Sequence, residues 1–333
     1  MDAFADRVVF QTREWLTFLE RTQRGQAIVA AVEVDGEAAG YFTGVVVRRG
    51  GLPILGSPFP GWTTDWMGFN LVDGVSRAVV ASALPHFAFG VARCLHVEFR
   101  DRRLRDEDVR GLGFSRREVR TFELDLARSD DELLRGMTSA CRRAIKKAER
   151  VGVVVEEARD EGFADAYYSQ LVEVFARQSL APTYGVDRVR ELIRCLHPTG
   201  RLLLLRARRP DGACIATAIF PAMNGTAYFW GGASRRSDQI LRPNEALFWY
   251  AMRYWRDRGL TTLDLGGGGD YKRKYGVREI HVPALAVSRV PGLMILRNTA
   301  AQVLTYPWLR RRGLRGAGAS AVNEAETDDA GAG

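Results

Sequence analysis

Leu263-Asp264-Leu265-Gly266-Gly267-Gly268-Gly269-Asp270-Tyr271-Lys272-Arg273-Lys274-Tyr275-Gly276 runs from a short apolar strand into four consecutive glycines and then into a turn with three cations. Glycines after a buried strand let another backbone or a ligand approach closely, because no Cβ stands in the way. They also expose N–H groups that can meet an anion or a developing oxyanion. Lys272, Arg273 and Lys274 can neutralise a phosphate or stabilise a tetrahedral intermediate, and Asp264 or Asp270 can accept a proton from an attacking amine. The plain alternative is a loose glycine loop beside a solvated basic patch. The run fits neither the P-loop nor the dinucleotide fingerprint. It is the strand, the glycines and Tyr271-Lys272 together that mark a candidate site.

Outward from this stretch, Glu245 to Arg258 reads as a helix and Val282 to Arg289 as a last strand. Arg201 to Arg208 and Ile215 to Ala222 flank a Pro210-Asp211-Gly212 turn, and Asn224-Gly225 turns into a strand from Ala227. At the other end of the chain, Glu14 to Thr22 has helical apolar spacing. Ala27 to Val34 and Ala38 to Val47 flank Asp35-Gly36, a hairpin signal because glycine takes the positive φ such turns need. A Gly/Pro/Trp-rich loop is expected over residues 50–70, a helix over 75–92, and strands over 95–99 and 114–126. Ser129 is expected to cap one long helix with acids in its first turn and cations toward its end, as the helix dipole favours. Each half shows strand, Asp-Gly turn, strand, helix and short apolar strand. We read this as an ancient duplication; two unrelated α/β units with shared turn chemistry would look similar.

With 333 residues, 46% hydrophobic and 26% charged, the composition is that of a globular protein large enough for two domains. The formal charge of +8 favours anionic partners such as tRNA, CoA phosphates, a nucleotide-linked sugar or anionic lipid, although Arg-rich composition alone produces the same balance. Cys94, Cys141, Cys195 and Cys214 form no Cys-x-x-Cys pair, and the histidines form no metal-spaced pair, so no metal is expected. Asp2, Asp6 and Arg7 interrupt any secretory h-region, which makes a cytoplasmic, monomeric protein with reduced thiols the expectation.

Leu263 to Gly267 followed by Tyr271-Lys272-x-Lys274-Tyr275-Gly276 resembles the C-terminal signature of the Fem-type and CelD/BioF2-like branch of the GNAT superfamily: Leu-Asp-Leu-Gly-Gly, a gap, then aromatic-Lys-x-x-Phe-Gly. The basic stretch Arg142-Arg143-Ala144-Ile145-Lys146-Lys147, ending in Val151-Gly152-Val153, is similar to the family's basic helix and strand entry. The resemblance covers residues 120–290 well, and the N-terminal half only by layout. It implies an α/β (α+β) fold of tandem GNAT-like domains, each a mixed, mostly antiparallel sheet flanked by helices. The expected division is an N-terminal domain over 1–126, a C-terminal domain with the motifs over 127–290, and a basic amphipathic segment with a tail over 291–333.

The same resemblance implies an N-acyltransferase moving an acyl or aminoacyl group to an amine on a small molecule or a cell-wall or polysaccharide precursor. The donor would be acetyl-CoA or another acyl-CoA, or aminoacyl-tRNA. Lys272 stands at the family's functional lysine, with Asp264 and Asp270 as proton acceptors. Arg142, Arg143, Lys146, Tyr271, Lys274, Gly266 and Gly267 would bind substrate. One departure bears on the donor: after Ala233 the chain has Ser234-Arg235-Arg236-Ser237-Asp238 instead of a glycine-paired pyrophosphate loop, which tilts away from CoA. Leu293 to Arg315 could lie on an anionic membrane surface, or dock as a helix with a solvated end. The rival reading is a non-catalytic basic module that binds tRNA or an anionic surface.

Overall fold

The computed structural model describes residues 4–290, so the segment from Leu293 to Arg315 lies outside the described residues. The chain forms two compact units. One runs to Arg120 and takes up the chain again at His281; the other spans Thr121 to Ile280.

In the first unit, α1 (Arg13–Gln23) starts where the Thr12 hydroxyl accepts the Trp15 N–H at 3.2 Å, and it buries Trp15, Leu16, Phe18 and Leu19. β1 (Gln26–Val34) and β2 (Glu37–Arg49) form the hairpin, with positive φ at both Asp35 and Gly36. β2 then pairs with two strands in succession: β3 (Leu52–Ser57) through Val45 to Arg49, and β4 (Gly68–Leu71) through Gly40 to Thr43. The expected loop over 50–70 therefore carries two strands. Pro53 and Gly56 break their periodicity, and the missing Cβ of Gly56 makes room for the Phe59 ring. Between the strands, Phe59, Trp62 and Trp66 are buried, and Trp15 Nε1 donates to Thr64 Oγ1 at 3.1 Å. α2 (Arg77–His86) and a π-helical turn lead into β5 (His96–Arg100), parallel to β3. α3 (Asp106–Val109) and β6 (Ser115–Asp125) follow.

The second unit contains α4 (Asp130–Gly136), α5 (Ser139–Arg150), β7 (Val154–Glu157), α6 (Phe163–Arg177) and α7 (Val186–Leu196). The expected single helix from Ser129 is thus two. Thr138 recaps the chain through its hydroxyl and the Cys141 N–H at 3.2 Å, while the apolar stripe continues across the break. β8 (Leu202–Arg208) and β9 (Cys214–Met223) form a hairpin. β9 again takes two successive partners, β10 (Thr226–Tyr228) and β11 (Gly231–Ser234). α8 (Pro243–Arg256) leads to β12 (Thr262–Asp264), which is parallel to β10 and antiparallel to the Glu123–Asp125 end of β6. β13 (Arg278–Ser288) closes the described chain, and its Ala284–Ser288 part pairs with β5 in the first unit.

Both units therefore share one plan. A hairpin strand splits between two partners, and a helix then crosses to a strand parallel to the first partner. Each half is mixed α/β with a mostly antiparallel sheet and flanking helices, the tandem plan that the resemblance implies.

The first unit hinges on a buried ion cluster. Arg77 meets Asp6 at 2.5 Å and Asp101 at 3.0 Å, with all three side chains largely out of water. Burial pushes the Asp101 carboxyl above its ordinary value, against the opposing pull of Arg77 and of the Phe69 and Arg103 N–H groups. A raised folded-state pKa means the folded protein binds the proton more readily, so this contribution falls as pH rises through that range. Arg77→Ala leaves two buried carboxylates and should cost about 3–5 kcal/mol. In denaturant titrations the deficit should shrink as pH falls from neutral; a deficit independent of pH would separate Asp101 from it.

Candidate active site

The strand of β10 and β11 changes partner at Phe229-Trp230. The Phe229 N–H still donates to Asp264 O at 2.8 Å, but the Trp230 N–H turns to Ile219 O at 3.0 Å. β12 meanwhile stays with β6, through the Leu265 N–H to Phe122 O at 2.8 Å. The two strands part at this point, and the glycine run begins there.

Asp264 is buried, and its Oδ1 accepts from the Thr121 hydroxyl and from the Gly266 N–H at 2.9 Å. This fixes the first glycine, which takes a φ of 72°. Gly269 leads into a 3-10 turn, Asp270 to Tyr275. The turn places Lys272 inside, with 5% of its surface exposed and Nζ donating to Gly266 O at 3.4 Å. The Phe229 and Tyr271 rings each lie 5.8 Å from Nζ, within cation–π reach.

Three further contacts hold the turn. Lys274 Nζ pairs with the buried carboxylate of Glu245 on α8 at 2.8 Å. The carbonyl of Lys274 accepts the Thr138 N–H at 2.9 Å, at the start of α5. Tyr275 packs its ring 4.8 Å from Phe248, and burial, followed by the charge of Glu245, pushes its phenol well up. The Cys141 thiol beside this group is pushed up to about 11, chiefly by burial.

The structure thus gathers Asp264, Gly266, Tyr271 and Lys272 around one point and ties Lys274 in behind them. Gly267 is half-buried within the run. Asp270 is exposed and lies 3.5 Å from Arg273 Nε. Arg142 is turned away from solvent: its guanidinium donates to the carbonyls of Leu134 and Met137 and ties down the end of α4. Arg143 and Lys146 stand on the exposed face of α5. Thr121, Phe229 and Glu245 belong to the same group but carry no local signal as site residues. Glu245 reads from sequence only as an acid in a helix's first turn. Among the described residues, no group of three His, Cys, Asp or Glu side chains is gathered as metal ligands would be, and no helix is long and apolar enough to cross a membrane.

Residues 135–274 match the family model of the acetyltransferase (GNAT) domain. No curated protein matches the sequence. Among solved structures, FemX is similar over 89% of this chain and 96% of its own, with 17% identity and a TM-score of 0.72. L-PGS from Bacillus licheniformis is similar over 87% of this chain and 96% of its own, at 14% identity and a TM-score of 0.53. A tandem GNAT protein from the clavulanic acid biosynthesis pathway is similar over 80% of this chain and 84% of its own, at 14% identity and a TM-score of 0.51. The matched segment is similar to a GNAT-type acetyltransferase domain. Over most of its length the chain has the fold of FemX, and the segment matched by the family model falls in the second unit.

Gly276 closes the turn at a φ of 78°, and a Cβ there would stand 2.5 Å from the carbonyl oxygen of Gly136. Gly212 has a similar φ of 86° but open space around it. Gly212→Ala should cost about 1 kcal/mol through backbone strain alone. Gly276→Ala adds a clash with backbone and should cost at least about twice as much. Equal drops in Tm for the two variants would show that the Gly136 contact does not constrain the turn.

Proposed function

We propose that this chain is an N-acyltransferase that moves an acyl or aminoacyl group onto a primary amine of a small molecule or glycan precursor. The reading rests on Lys272, a buried cation held by one backbone oxygen and two ring faces at the point where β10 and β12 part. An ammonium so fixed is pre-aligned for negative charge that appears only in the transition state.

In the reaction, the amine nitrogen attacks the donor carbonyl carbon and the new C–N bond forms. The carbonyl π pair moves to oxygen, where Lys272 stabilises it by hydrogen bonding. Collapse of the tetrahedral intermediate breaks the bond to the leaving oxygen or sulfur, which departs with the electron pair. The proton lost by the amine goes to a carboxylate or to the substrate itself. Asp264 Oδ1 already accepts from Thr121 and Gly266. We therefore assign Asp264 chiefly to holding the turn and the acceptor role to the exposed Asp270 or to the substrate. Tyr271 and Lys274 shape the wall around Lys272, while Arg143 and Lys146 offer exposed cations to an anionic substrate.

Of the two donors, an aminoacyl ester such as aminoacyl-tRNA suits the site better than acyl-CoA. The first turn of α8 begins with Pro243, which has no N–H, and holds the buried Glu245 carboxylate. A pyrophosphate at that helix end would lose one N–H donor and meet a carboxylate already engaged by Lys274 in place of a free cation.

Lys272→Ala, and Lys272→Met, which keeps most of the apolar stem, should lower turnover about 100- to 1000-fold, the loss expected for one oxyanion donor, with the fold retained. Unchanged turnover in a folded variant removes Lys272 from the mechanism. In a melting-temperature panel, aminoacyl-tRNA should stabilise the protein more than CoA or acetyl-CoA. The reverse order would assign the donor to the CoA class, and stabilisation by none of them would favour the non-catalytic reading.

A further inference from the structure

Eight arginines fall from Arg100 through Arg120 in the first unit, none of them among the candidate active-site residues. Two cavities open there. The smaller, about 240 Å³, is lined by Arg100, Arg116 and Arg117 against the single carboxylate of Glu98. The larger, about 460 Å³, is lined by Arg102, Arg103, Arg105 and His281, with Asp106 and Glu118. They share a wall. Arg116 of the smaller cavity is paired with Asp106 and Glu118 of the larger, so those two acids are already engaged by a cation. Along β13 the lining passes without a gap from Val282-Pro283 to Ala284-Leu285-Ala286.

Arg100 carries most of the case. Its Nε is buried with no hydrogen-bond partner, and its Nη2 donates to the Thr64 carbonyl at 3.3 Å. Burial is the main reason its pKa falls to about 10, and the nearby charge of Arg117 lowers it further against the pull of Asp65 and Glu98. It remains protonated at neutral pH. Two guanidinium groups that repel one another thus line one cavity, and one of them has a buried donor to give. An anion between them would relieve the repulsion and satisfy the donor. Guanidinium forks match phosphate oxygens in pairs. The smaller cavity is below the usual volume of a whole-ligand pocket and the larger is within it, which fits a head group in one and its continuation in the other.

We propose that these adjoining cavities form a binding site for a ligand with two linked phosphoryl groups, one seated between Arg100 and Arg117 and the next toward Arg103. The site is built from first-unit residues alone and does not depend on the transfer reaction.

The test is calorimetric titration of the full chain with pyrophosphate, orthophosphate, uridine diphosphate and a short RNA duplex at constant ionic strength. Pyrophosphate should bind saturably, and about tenfold or more tighter than orthophosphate, because two groups are held at once. Arg103→Ala/Arg117→Ala changes only exposed side chains and should weaken pyrophosphate about tenfold or more with Tm unchanged. Arg100→Lys keeps the charge but loses the fork and should weaken it as well. Lys272→Ala should bind pyrophosphate like the parent, so a failure of the transferase reading leaves this result intact. Equal binding of pyrophosphate and orthophosphate, or equal affinity in the parent and the double variant, overturns the proposal. Binding of RNA but not of pyrophosphate overturns it in favour of a nucleic-acid surface. Uridine diphosphate binding tighter than pyrophosphate identifies a nucleotide-linked ligand, and equal binding identifies the phosphate chain alone as what is recognised.

Discussion

The carboxylate of Asp264 is the interaction on which the second unit's site depends. A buried carboxylate is costly unless hydrogen-bonded, and bonds to a charged acceptor contribute about 1.5–3 kcal/mol each. Asp264 takes one such bond from β6, through Thr121, and one from the first glycine after its own strand. The strand end, its neighbour and the start of the glycine run are therefore fixed by one side chain. Gly266 then offers its carbonyl to Lys272 Nζ. Without Asp264, Gly266 would be held only by a backbone free to take many conformations, and the lysine would lose its reference point.

From the other side, Lys274 and Glu245 do comparable work. The pair is largely buried, so breaking it would strand a charge. It ties the turn to α8, while the Thr138 N–H ties the same residue to α5. A six-residue 3-10 turn has little stability of its own, because its hydrogen bonds are poor and few. Its order comes from these tertiary contacts, which is why a buried lysine can keep one orientation there.

Much of this was legible in the sequence. Period-2 patterning with Asp-Gly turns announced both hairpins, and the strand-glycine-Lys run marked the candidate site. Three features were not legible, for distinct physical reasons. β3 and β4 are interrupted by Pro53 and by glycines that accept neighbouring rings and carboxylates, so neither shows clean alternation. The break at Met137-Thr138 leaves the apolar stripe in phase, and periodicity alone reads straight through it. The pairing of Ala284 to Ser288 with β5 joins residues far apart in sequence, and no local pattern records such a partner. Among site residues, Arg142 and Arg143 look equivalent in sequence. Helix geometry decides between them, because only Arg142 reaches the carbonyls at the end of α4.

The two halves share a plan but use it differently. In each, the strand after the crossover helix leads into a buried aspartate: Asp264 directly at the end of β12, Asp101 just past β5. In the second unit the aspartate accepts from a hydroxyl and an N–H, and Lys272 donates to the carbonyl of the glycine it fixes. In the first, Asp101 is engaged by Arg77, and the chain between β3 and β4 fills its interior with Phe59, Trp62 and Trp66. The residues that follow Asp101 are arginines on a cavity wall. A carboxylate bound by a guanidinium ties elements of a fold together, whereas one that accepts from the start of a glycine run also sets the backbone oxygen that receives Lys272. That difference in how one buried aspartate is held accords with the two proposals, transfer chemistry in the second unit and anion recognition in the first.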